Sequence, residues 1–261
     1  MTKRANDLEL ALAMADAADA MTMAVYTGEA LAFERKADGS PVTETDRQVE
    51  ERLRAMITER RPADGFLGEE TAPESEATDR RWIIDPVDGT ASFIRGGRSW
   101  ATQIALEEDG DLVLGVTSAP VVDARWWGAT GIGAFRQARD DAEPRRLQVS
   151  TTSEFDAARW VCYPPVERLK EDWRVLPDRL RGASEPIRQT AHGALMVAAA
   201  DADACLQLQG APWDYAAFAA LVQIAGGRFS YIDGSTTLGG LDPAVFSNGR
   251  VHDQVLAALG T

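Results

Sequence analysis

Acidic side chains stand where several expected secondary-structure elements end, and they are the residues in this sequence best suited to chemistry. They are Asp46, the pair Glu69-Glu70, the pair Asp85 and Asp88, and Asp214. Carboxylate oxygens are the ligands that a hard cation such as Mg²⁺ prefers, and acids at element ends can converge when a chain folds. The sequence therefore predicts chemistry that runs mostly on carboxylates.

The stretch 85–90, which reads DPVDGT, is the most informative of these segments. We predict a short buried strand over residues 82–85 that ends at Pro86, because the proline ring fixes the backbone at a turn. Such a turn can direct the Val87 carbonyl and both carboxylates toward one point. Gly89 and Thr90 then lead into an expected helix start, where unpaired N–H groups can hold a phosphate group.

The sequence contains few motifs for catalysis by histidine or cysteine or for nucleotide binding. The only histidines are His192 and His252, which form no H-E-x-x-H zinc motif, and Cys162 and Cys205 form no C-x-x-C pair. The sequence also lacks a G-x-S-x-G elbow, a phosphate-binding P-loop and a G-x-G-x-x-G fingerprint. Serine hydrolases, P-loop NTPases and Rossmann dehydrogenases therefore lose their main sequence support.

The charge balance argues against nucleic-acid binding. The 261 residues include 41 acidic and 27 Lys or Arg side chains, giving a formal net charge of −14, whereas a nucleic-acid binder needs a basic face. The sequence contains no run of about 18 apolar residues, which a membrane-spanning helix would need. Asp7 and Glu9 follow the N-terminus where a secretory signal would be apolar. We therefore expect a cytoplasmic enzyme with no nucleic-acid or membrane partner.

The elements that must position the acids are of both types. Apolar spacing predicts one helix over 7–26 and a second that opens at Thr43 or Thr45 as N-cap and stops before residue 61. Alternating residues predict an antiparallel meander over 101–136. In the C-terminal half, a helix opens at 213–214 and stops at the paired glycines 226–227.

A change of composition near residue 145 is the only hint of a domain boundary. We expect an N-terminal α+β half, residues 1–145, that carries most metal ligands. The C-terminal α/β half, residues 146–261, should close the substrate pocket of one compact unit. The fold class predicted is therefore mixed α/β (α+β), with antiparallel and mixed sheets.

Four motifs in order resemble the inositol monophosphatase superfamily over nearly the whole chain. They read PVTETD at 41–46, GEE at 68–70, WIIDPVDGT at 82–90, and WD at 213–214 followed by AGG at 225–227. The third motif is highly specific. The RWW at 125–127 and SNG at 247–249 make the sequence most similar to the histidinol-phosphate phosphatase branch of that superfamily.

The resemblance implies a layered α/β/α/β/α phosphatase, usually a homodimer, that uses two or three Mg²⁺ ions to hydrolyse a small-molecule phosphate ester. It implies a first ion held by Glu69, Asp85 and the Val87 carbonyl. A second ion would be held by Asp85, Asp88 and Asp214. In general, a metal pair about 3.5–4 Å apart lowers the pKa of bound water and clamps the attacking and leaving oxygens.

The same resemblance assigns the remaining roles. Asp46 would hold a third ion through water and, with Thr90 and Glu69, form the catalytic group that positions and deprotonates the attacking water. The N–H groups of Gly89 and Thr90 would steady the phosphate. The candidate residues for substrate or phosphate binding are Asp88, Gly89, Thr90, Arg188, Gln207 and Asp214.

Two departures from the family pattern affect the expected substrate. Gln207 stands where the family commonly has a glutamate, and Ala194 stands where histidinol-phosphate enzymes carry an acidic residue. A cationic leaving group would lose charge-assisted hydrogen bonds worth about 1.5–3 kcal/mol each. Histidinol phosphate is the named expectation. An inositol phosphate, or another polyol, sugar or biosynthetic-intermediate phosphate, is the alternative.

Simpler roles are assigned to three further residues. Glu70 fits either a solvated acid or a support for the metal ligands. His192 fits a pocket wall or a structural position better than a catalytic base. His252 is expected at the surface.

Two alternatives to a metal-dependent phosphatase are weighed. One is a non-catalytic metal- or phosphate-binding relative, against which the intact pair Asp46 and Thr90 argues. The other, more distant, is a glycosidase that uses Asp85 and Asp88 as its carboxylate pair. A glycosidase would not require Glu69 or Asp214.

Overall fold

The structure is a computed structural model that describes residues 2–71, 78–166, 171, 174–182, 184, 186–189, 191–239 and 243–260. The chain folds into two compact units, Met1–Arg145 and Arg146–Thr261. Both units contain helices and strands, which confirms the predicted mixed α/β class. Among the described helices, none has the length and apolar character needed to cross a membrane.

The first unit is built on one large sheet preceded by a short strand pair. Its strands are β1 (Glu34–Arg35), β2 (Pro41–Val42), β3 (Gly65–Gly68), β4 (Arg80–Asp88), β5 (Ala101–Glu108), β6 (Asp111–Ala119), β7 (Ala124–Ala129) and β8 (Gly133–Ala138). A further strand of the sheet, β9 (Arg145–Leu147), begins at the last residue of this unit. The large sheet has the order β3-β4-β5-β6-β7-β8-β9. β3 runs parallel to β4, and the neighbouring pairs from β4 to β8 are antiparallel, so the predicted meander is confirmed.

Two long helices, α1 (Lys3–Val25) and α2 (Glu44–Arg60), pack against this sheet, and a short helix α3 (Thr90–Ile94) follows β4. Trp82 and Ile84 of β4 and Leu106 of β5 share one buried cluster with Met14 of α1 and Leu53 of α2. Burying each such side chain stabilises the fold by about 1.5–3 kcal/mol. This face of the sheet is therefore apolar, and the residues that alternate with it point to the other face.

Strand β4 continues past Pro86, which corrects the predicted strand end at Asp85. Asp85 lies opposite Gln103 and Asp88 lies opposite Ala101, so β4 advances by one residue more than β5 between the two pairs. This irregularity is a β-bulge, and proline is tolerated there because the ladder of hydrogen bonds is interrupted. Residues opposite each other share a face, so the bulge places Asp85 and Asp88 on the same face, where a regular strand would separate them.

The second unit is built on a smaller sheet. Its strands are β10 (Trp160–Tyr163), β11 (Ala204–Gln207), β12 (Arg228–Tyr231) and β13 (Ala244–Ser247), and its helices are α4 (Val175–Arg181), α5 (Gly193–Ala198), α6 (Pro212–Ile224) and α7 (His252–Leu259). The order is β10-β11-β13-β12, with β10 and β11 parallel and the other pairs antiparallel. The sequence pattern does not indicate β10, β11 or β13, because periodicity cannot distinguish a four-residue, mostly apolar run from a buried helix segment.

His252 is buried, so its predicted surface position is wrong. It is the first residue of α7, and its ring bridges two strands: Nε2 lies 2.9 Å from the Ser230 hydroxyl and Nδ1 lies 2.8 Å from the Ser247 hydroxyl. Burial, assisted by the nearby charge of Arg228, lowers the pKa of His252 to about 4. The ring is therefore neutral in the folded protein at neutral pH.

The lowered pKa of His252 predicts a loss of stability in mild acid. Between its ordinary pKa of 6.5 and about 4, the unfolded chain takes up a proton that the folded chain resists, so the free energy of unfolding should fall as the pH falls through this window. In His252→Gln the decline should be shallower, by up to about 1.4 kcal/mol per pH unit. Urea unfolding of both proteins at pH 7.5, 6.0 and 5.0 measures the difference, and parallel curves would contradict the assignment.

Candidate active site

The N-terminus of α2 fixes the side chain of Asp46. Thr43 caps the helix: its backbone N–H donates to Asp46 Oδ2 at 2.8 Å, and its hydroxyl donates to the same oxygen. The Asp46 N–H in turn donates to the Thr43 hydroxyl at 3.4 Å. This reciprocal capping box confirms Thr43 as the N-cap and holds a buried carboxylate in one orientation.

Thr90 connects Asp46 to the end of β4. Its hydroxyl lies 3.2 Å from Asp46 Oδ1 and 3.0 Å from the Val87 carbonyl, so it can donate to either oxygen. Gly89, between Asp88 and Thr90, has φ +85°, and an added Cβ would lie 2.5 Å from the Ser99 carbonyl oxygen. Only glycine fits this backbone, which brings Thr90 back beside Asp46.

Asp85 and Asp88 form a carboxylate pair on one face of the sheet. Their side chains offer oxygen atoms that lie within 4.8 Å of each other. The Val87 N–H donates to Asp85 Oδ1 at 3.0 Å, which orients that carboxylate within the bulge. Gln103 Nε2 donates to Asp88 Oδ2 at 2.7 Å.

Glu69 and Glu70 directly follow β3. Gly68, the last residue of β3, lies opposite Ile84 of the parallel strand β4, so Glu69 leaves the sheet at the level where β4 continues to Asp85. Within the first unit, Asp85 and Asp88 lie together, Asp46 lies beside Thr90, and the charge of Glu69 acts on Asp46.

The buried carboxylate of Glu50 anchors the loop that carries Glu69. Its two oxygens accept the backbone N–H groups of Glu70 and Thr71, each at 2.8 Å. A Cβ on Gly68 would lie 2.4 Å from this carboxylate, so a larger residue there would displace the Glu50 side chain. No sequence motif includes Glu50, but its position carries a signal: it lies on the same helical face as Asp46 and Leu53, where apolar residues are expected.

Lys36, which also belongs to no sequence motif, partly balances the negative charge of Glu69 and Glu70. Lys36 Nζ lies 2.8 Å from Glu69 Oε1 and 2.8 Å from Glu70 Oε1. Burial by itself would lower the pKa of Lys36, but the two carboxylates raise it. Burial raises the pKa of Glu70 to about 7, where the charge of Glu69 adds to the rise and Lys36 opposes it. Burial also raises the pKa of Asp46, and again the Glu69 charge adds to the rise.

These residues fit a hard divalent cation. The candidate donors in the first unit are the carboxylates of Asp46, Glu69, Asp85 and Asp88 and the carbonyl of Val87, all of them oxygen. Oxygen donors select Mg²⁺ over softer metals. Burial is the main cause of the raised pKa values of Asp46 and Glu70, and a divalent cation nearby would favour the charged forms of both carboxyls.

Three of the predicted site residues lie in the second unit. Asp214 is in the first turn of α6, where its Oδ2 accepts the Ala211 N–H at 2.5 Å. Gln207 ends β11 and is buried; its Nε2 lies 3.4 Å from the Gln209 carbonyl, and its Oε1 has no hydrogen-bond partner within the described ranges. Arg188 is exposed.

His192 is held by aromatic rings. Its ring stacks on Phe218 with centroids 3.7 Å apart, and it lies 4.9 Å from the ring of Tyr163. The residue keeps some exposure, but its Nδ1 is buried, and burial lowers the pKa of His192 to about 3. A neutral ring with such a pKa is a weak base, in agreement with a wall or structural role. Ala194 is buried in α5.

Comparisons with known proteins define the class. The model of the inositol monophosphatase family matches residues 4–260. Histidinol-phosphatase of Mycobacterium tuberculosis is 40% identical over 259 residues, covering 97% of this chain and 98% of that protein. Histidinol-phosphatase of Streptomyces coelicolor is 38% identical over 262 residues, covering 97% of each chain. The solved IMPase of Thermotoga maritima has a TM-score of 0.79 at 26% identity, covering 98% of this chain and 97% of its own.

These relatives place the chain among the phosphoric monoester hydrolases. It belongs to the inositol monophosphatase family. The resemblance that the sequence motifs indicate is confirmed, including its similarity to the histidinol-phosphate phosphatase branch.

Weakening the Glu50 anchor should release the Glu69 loop. In Glu50→Gln one acceptor oxygen becomes a donor, so one of the two backbone bonds is lost, and charge-assisted bonds of this kind are worth about 1.5–3 kcal/mol. We expect amide hydrogen exchange at residues 70–71 to become about tenfold faster or more. Mass spectrometry of the peptide measures it, with the exposed neighbour Glu51→Gln as the matched control. Equal protection in Glu50→Gln would show that Glu50 does not hold the loop.

Proposed function

We propose that the protein is a Mg²⁺-dependent phosphomonoesterase that hydrolyses a small-molecule phosphate ester by direct attack of water, with histidinol phosphate as the substrate. The observation that carries the proposal is the contact of Thr90 Oγ1 with Asp46 Oδ1, at 3.2 Å, next to the carboxylate pair of β4. A family whose members are phosphomonoesterases supplies the reaction class.

The proposed metal ligands are Glu69, Asp85, the Val87 carbonyl, Asp88 and Asp214, with Asp46 holding a further ion through water. The geometry of the first unit supports Asp85 and Asp88 as a pair and the place of Asp46 beside Thr90 and Val87. Glu69 and Asp214 rest on the family resemblance. Two or three Mg²⁺ ions are proposed on the same resemblance. When bound, they would lower the pKa of water and stabilise charge on the phosphate oxygens.

The chain's own residues position the water and take its proton. The Thr90 hydroxyl, when it donates to Asp46, leaves its lone pairs to accept from a water molecule. Asp46 is the proton acceptor, because burial raises the pKa of its carboxyl above the ordinary value. The N–H groups of Gly89 and Thr90 would hold the phosphate. No residue is required as a covalent nucleophile.

The choice of histidinol phosphate rests on the two histidinol-phosphatase relatives. The leaving group would meet the neutral amide of Gln207 and the exposed guanidinium of Arg188 rather than a carboxylate. An inositol phosphate is the second candidate, favoured by the 31% identity to inositol-1-monophosphatase of Mesorhizobium japonicum. A homodimer is proposed on the family resemblance alone.

Asp85→Asn should abolish phosphate release while leaving the fold intact. The substitution keeps the shape and removes a charge from the metal ligands, so kcat/KM should fall by about 10³-fold or more. Phosphate release from histidinol phosphate, inositol phosphates and sugar phosphates is measured with Mg²⁺ and with EDTA. Asp109→Asn, in an exposed hairpin turn with φ +55° that asparagine also adopts, is the control.

Activity of the wild-type protein that survives EDTA would contradict the metal mechanism. Release of phosphate from none of these esters, by a protein that does bind Mg²⁺, would favour the non-catalytic relative.

Restoring a carboxylate at position 207 should favour an amine-bearing substrate. In Gln207→Glu the ratio of kcat/KM for histidinol phosphate to that for inositol phosphate should rise about tenfold or more, because a charge-assisted hydrogen bond is worth about 1.5–3 kcal/mol. Gln209→Glu, an exposed position two residues along, is the control for net charge. An unchanged ratio would show that Gln207 does not contact the leaving group.

A further inference from the structure

Gln103 is a buried amide to which the proposed chemistry gives no role. It lies within β5 with 1% of its surface exposed, directly opposite Asp85 of β4 and Thr117 of β6. Its Nε2 donates to Asp88 Oδ2 at 2.7 Å, a short bond for a neutral amide and a carboxylate. The amide therefore reaches diagonally along the sheet to a residue of the acidic cluster.

The bulge of β4 explains this diagonal contact. Asp88 pairs with Ala101, which lies two residues before Gln103 on the same face of β5. A diagonal neighbour on one face is within reach of a long side chain such as glutamine. Without the extra residue in the bulge, Asp88 would point to the apolar face and could not accept this bond.

Packing alone does not account for an amide at this position. Gln103 Oε1 is buried and, among the residues that the structure describes, has no hydrogen-bond partner. A buried polar atom without a partner destabilises a fold, and an apolar side chain of the same size would avoid that loss. The bond to Asp88 is therefore the feature that distinguishes glutamine from an apolar residue here.

The donor is also electrically neutral, and this matters for a metal site. An arginine or lysine at position 103 would hold Asp88 as firmly, but its charge would oppose a cation bound nearby. The glutamine amide fixes one oxygen of the carboxylate and leaves its full negative charge for a metal ion. The opposite orientation of the Gln103 amide is unfavourable, because its oxygen would then face the Asp88 carboxylate.

We propose that Gln103 is a positioning residue that orients Asp88 for a divalent cation and thereby sets the affinity of the site for metal. The inference rests on the proposed function, since it requires Asp88 to be a metal ligand. Replacing residues that orient metal ligands typically weakens metal affinity about 10–100-fold.

The test compares Mn²⁺ binding to the full-length wild type and to Gln103→Met by isothermal titration calorimetry. Methionine keeps the length and volume of glutamine but has no N–H to donate. The dissociation constant for Mn²⁺ should rise about 10–100-fold. Raising the Mn²⁺ concentration should restore most of the phosphate release, so the defect appears as a higher metal requirement and not as a lost catalytic group.

Thr117→Val is the matched control. Thr117 is as buried as Gln103 and lies opposite it on the next strand, and its hydroxyl also has no hydrogen-bond partner in the described part of the chain. The Thr117→Val protein should bind Mn²⁺ with the affinity of the wild type. Gln103→Asn keeps the amide but is one methylene too short to reach Asp88, so it should weaken Mn²⁺ binding as Gln103→Met does.

Wild-type affinity in either folded Gln103 variant would overturn the inference while leaving the proposed function intact. Failure of both variants to fold, with Thr117→Val folded, would overturn it as well, because Gln103 would then serve the fold. A wild-type protein that binds no Mn²⁺ and releases no phosphate would instead remove the proposed function, and the inference with it.

Discussion

The extra residue that β4 carries between Asp85 and Asp88 is the constraint on which the candidate site depends. Side chains of a regular strand alternate between two faces, and in this sheet one face is the apolar surface that packs against α1 and α2. The bulge brings both carboxylates to the other face and makes room for Pro86. The left-handed turn at Gly89 then returns the chain so that Thr90 meets Asp46.

The site concentrates negative charge, and the surrounding structure holds that charge in place while neutralising only part of it, through Lys36. Asp46 is fixed by its own helix cap, and an acid in the first turn of a helix is favoured by the helix dipole. Neutral donors, the Val87 N–H and the Gln103 amide, orient the carboxylates of β4. The ammonium group of Lys36 pairs with Glu69 and Glu70, yet burial and mutual repulsion still raise the pKa of Glu70. Such a cluster suits the divalent cation that we propose for this site.

The features predictable from the sequence are those with local signals. The cap at Thr43 and the acid at Asp46 lie within one helical turn, and the motif at 82–90 is specific enough to identify the family. The features missed depend on partners distant in sequence. Glu50 acts on backbone groups 20 and 21 residues away, Lys36 on a carboxylate 33 residues away, and Gln103 on one 15 residues away. In a sequence, a proline within an apolar run is normally taken as the end of a strand. The bulge that lets β4 continue through Pro86 can therefore be recognised only in the folded chain.

Anomalous scattering of Mn²⁺ in crystals of the wild-type protein grown with that ion would locate the bound cation directly. We expect peaks at about 2.1 Å from carboxylate oxygens of Asp85, Asp88 and Glu69, with a further contact to the Val87 carbonyl. Density for Mn²⁺ elsewhere, or a site in which the Asp85 and Asp88 carboxylates turn away from a common point, would contradict it.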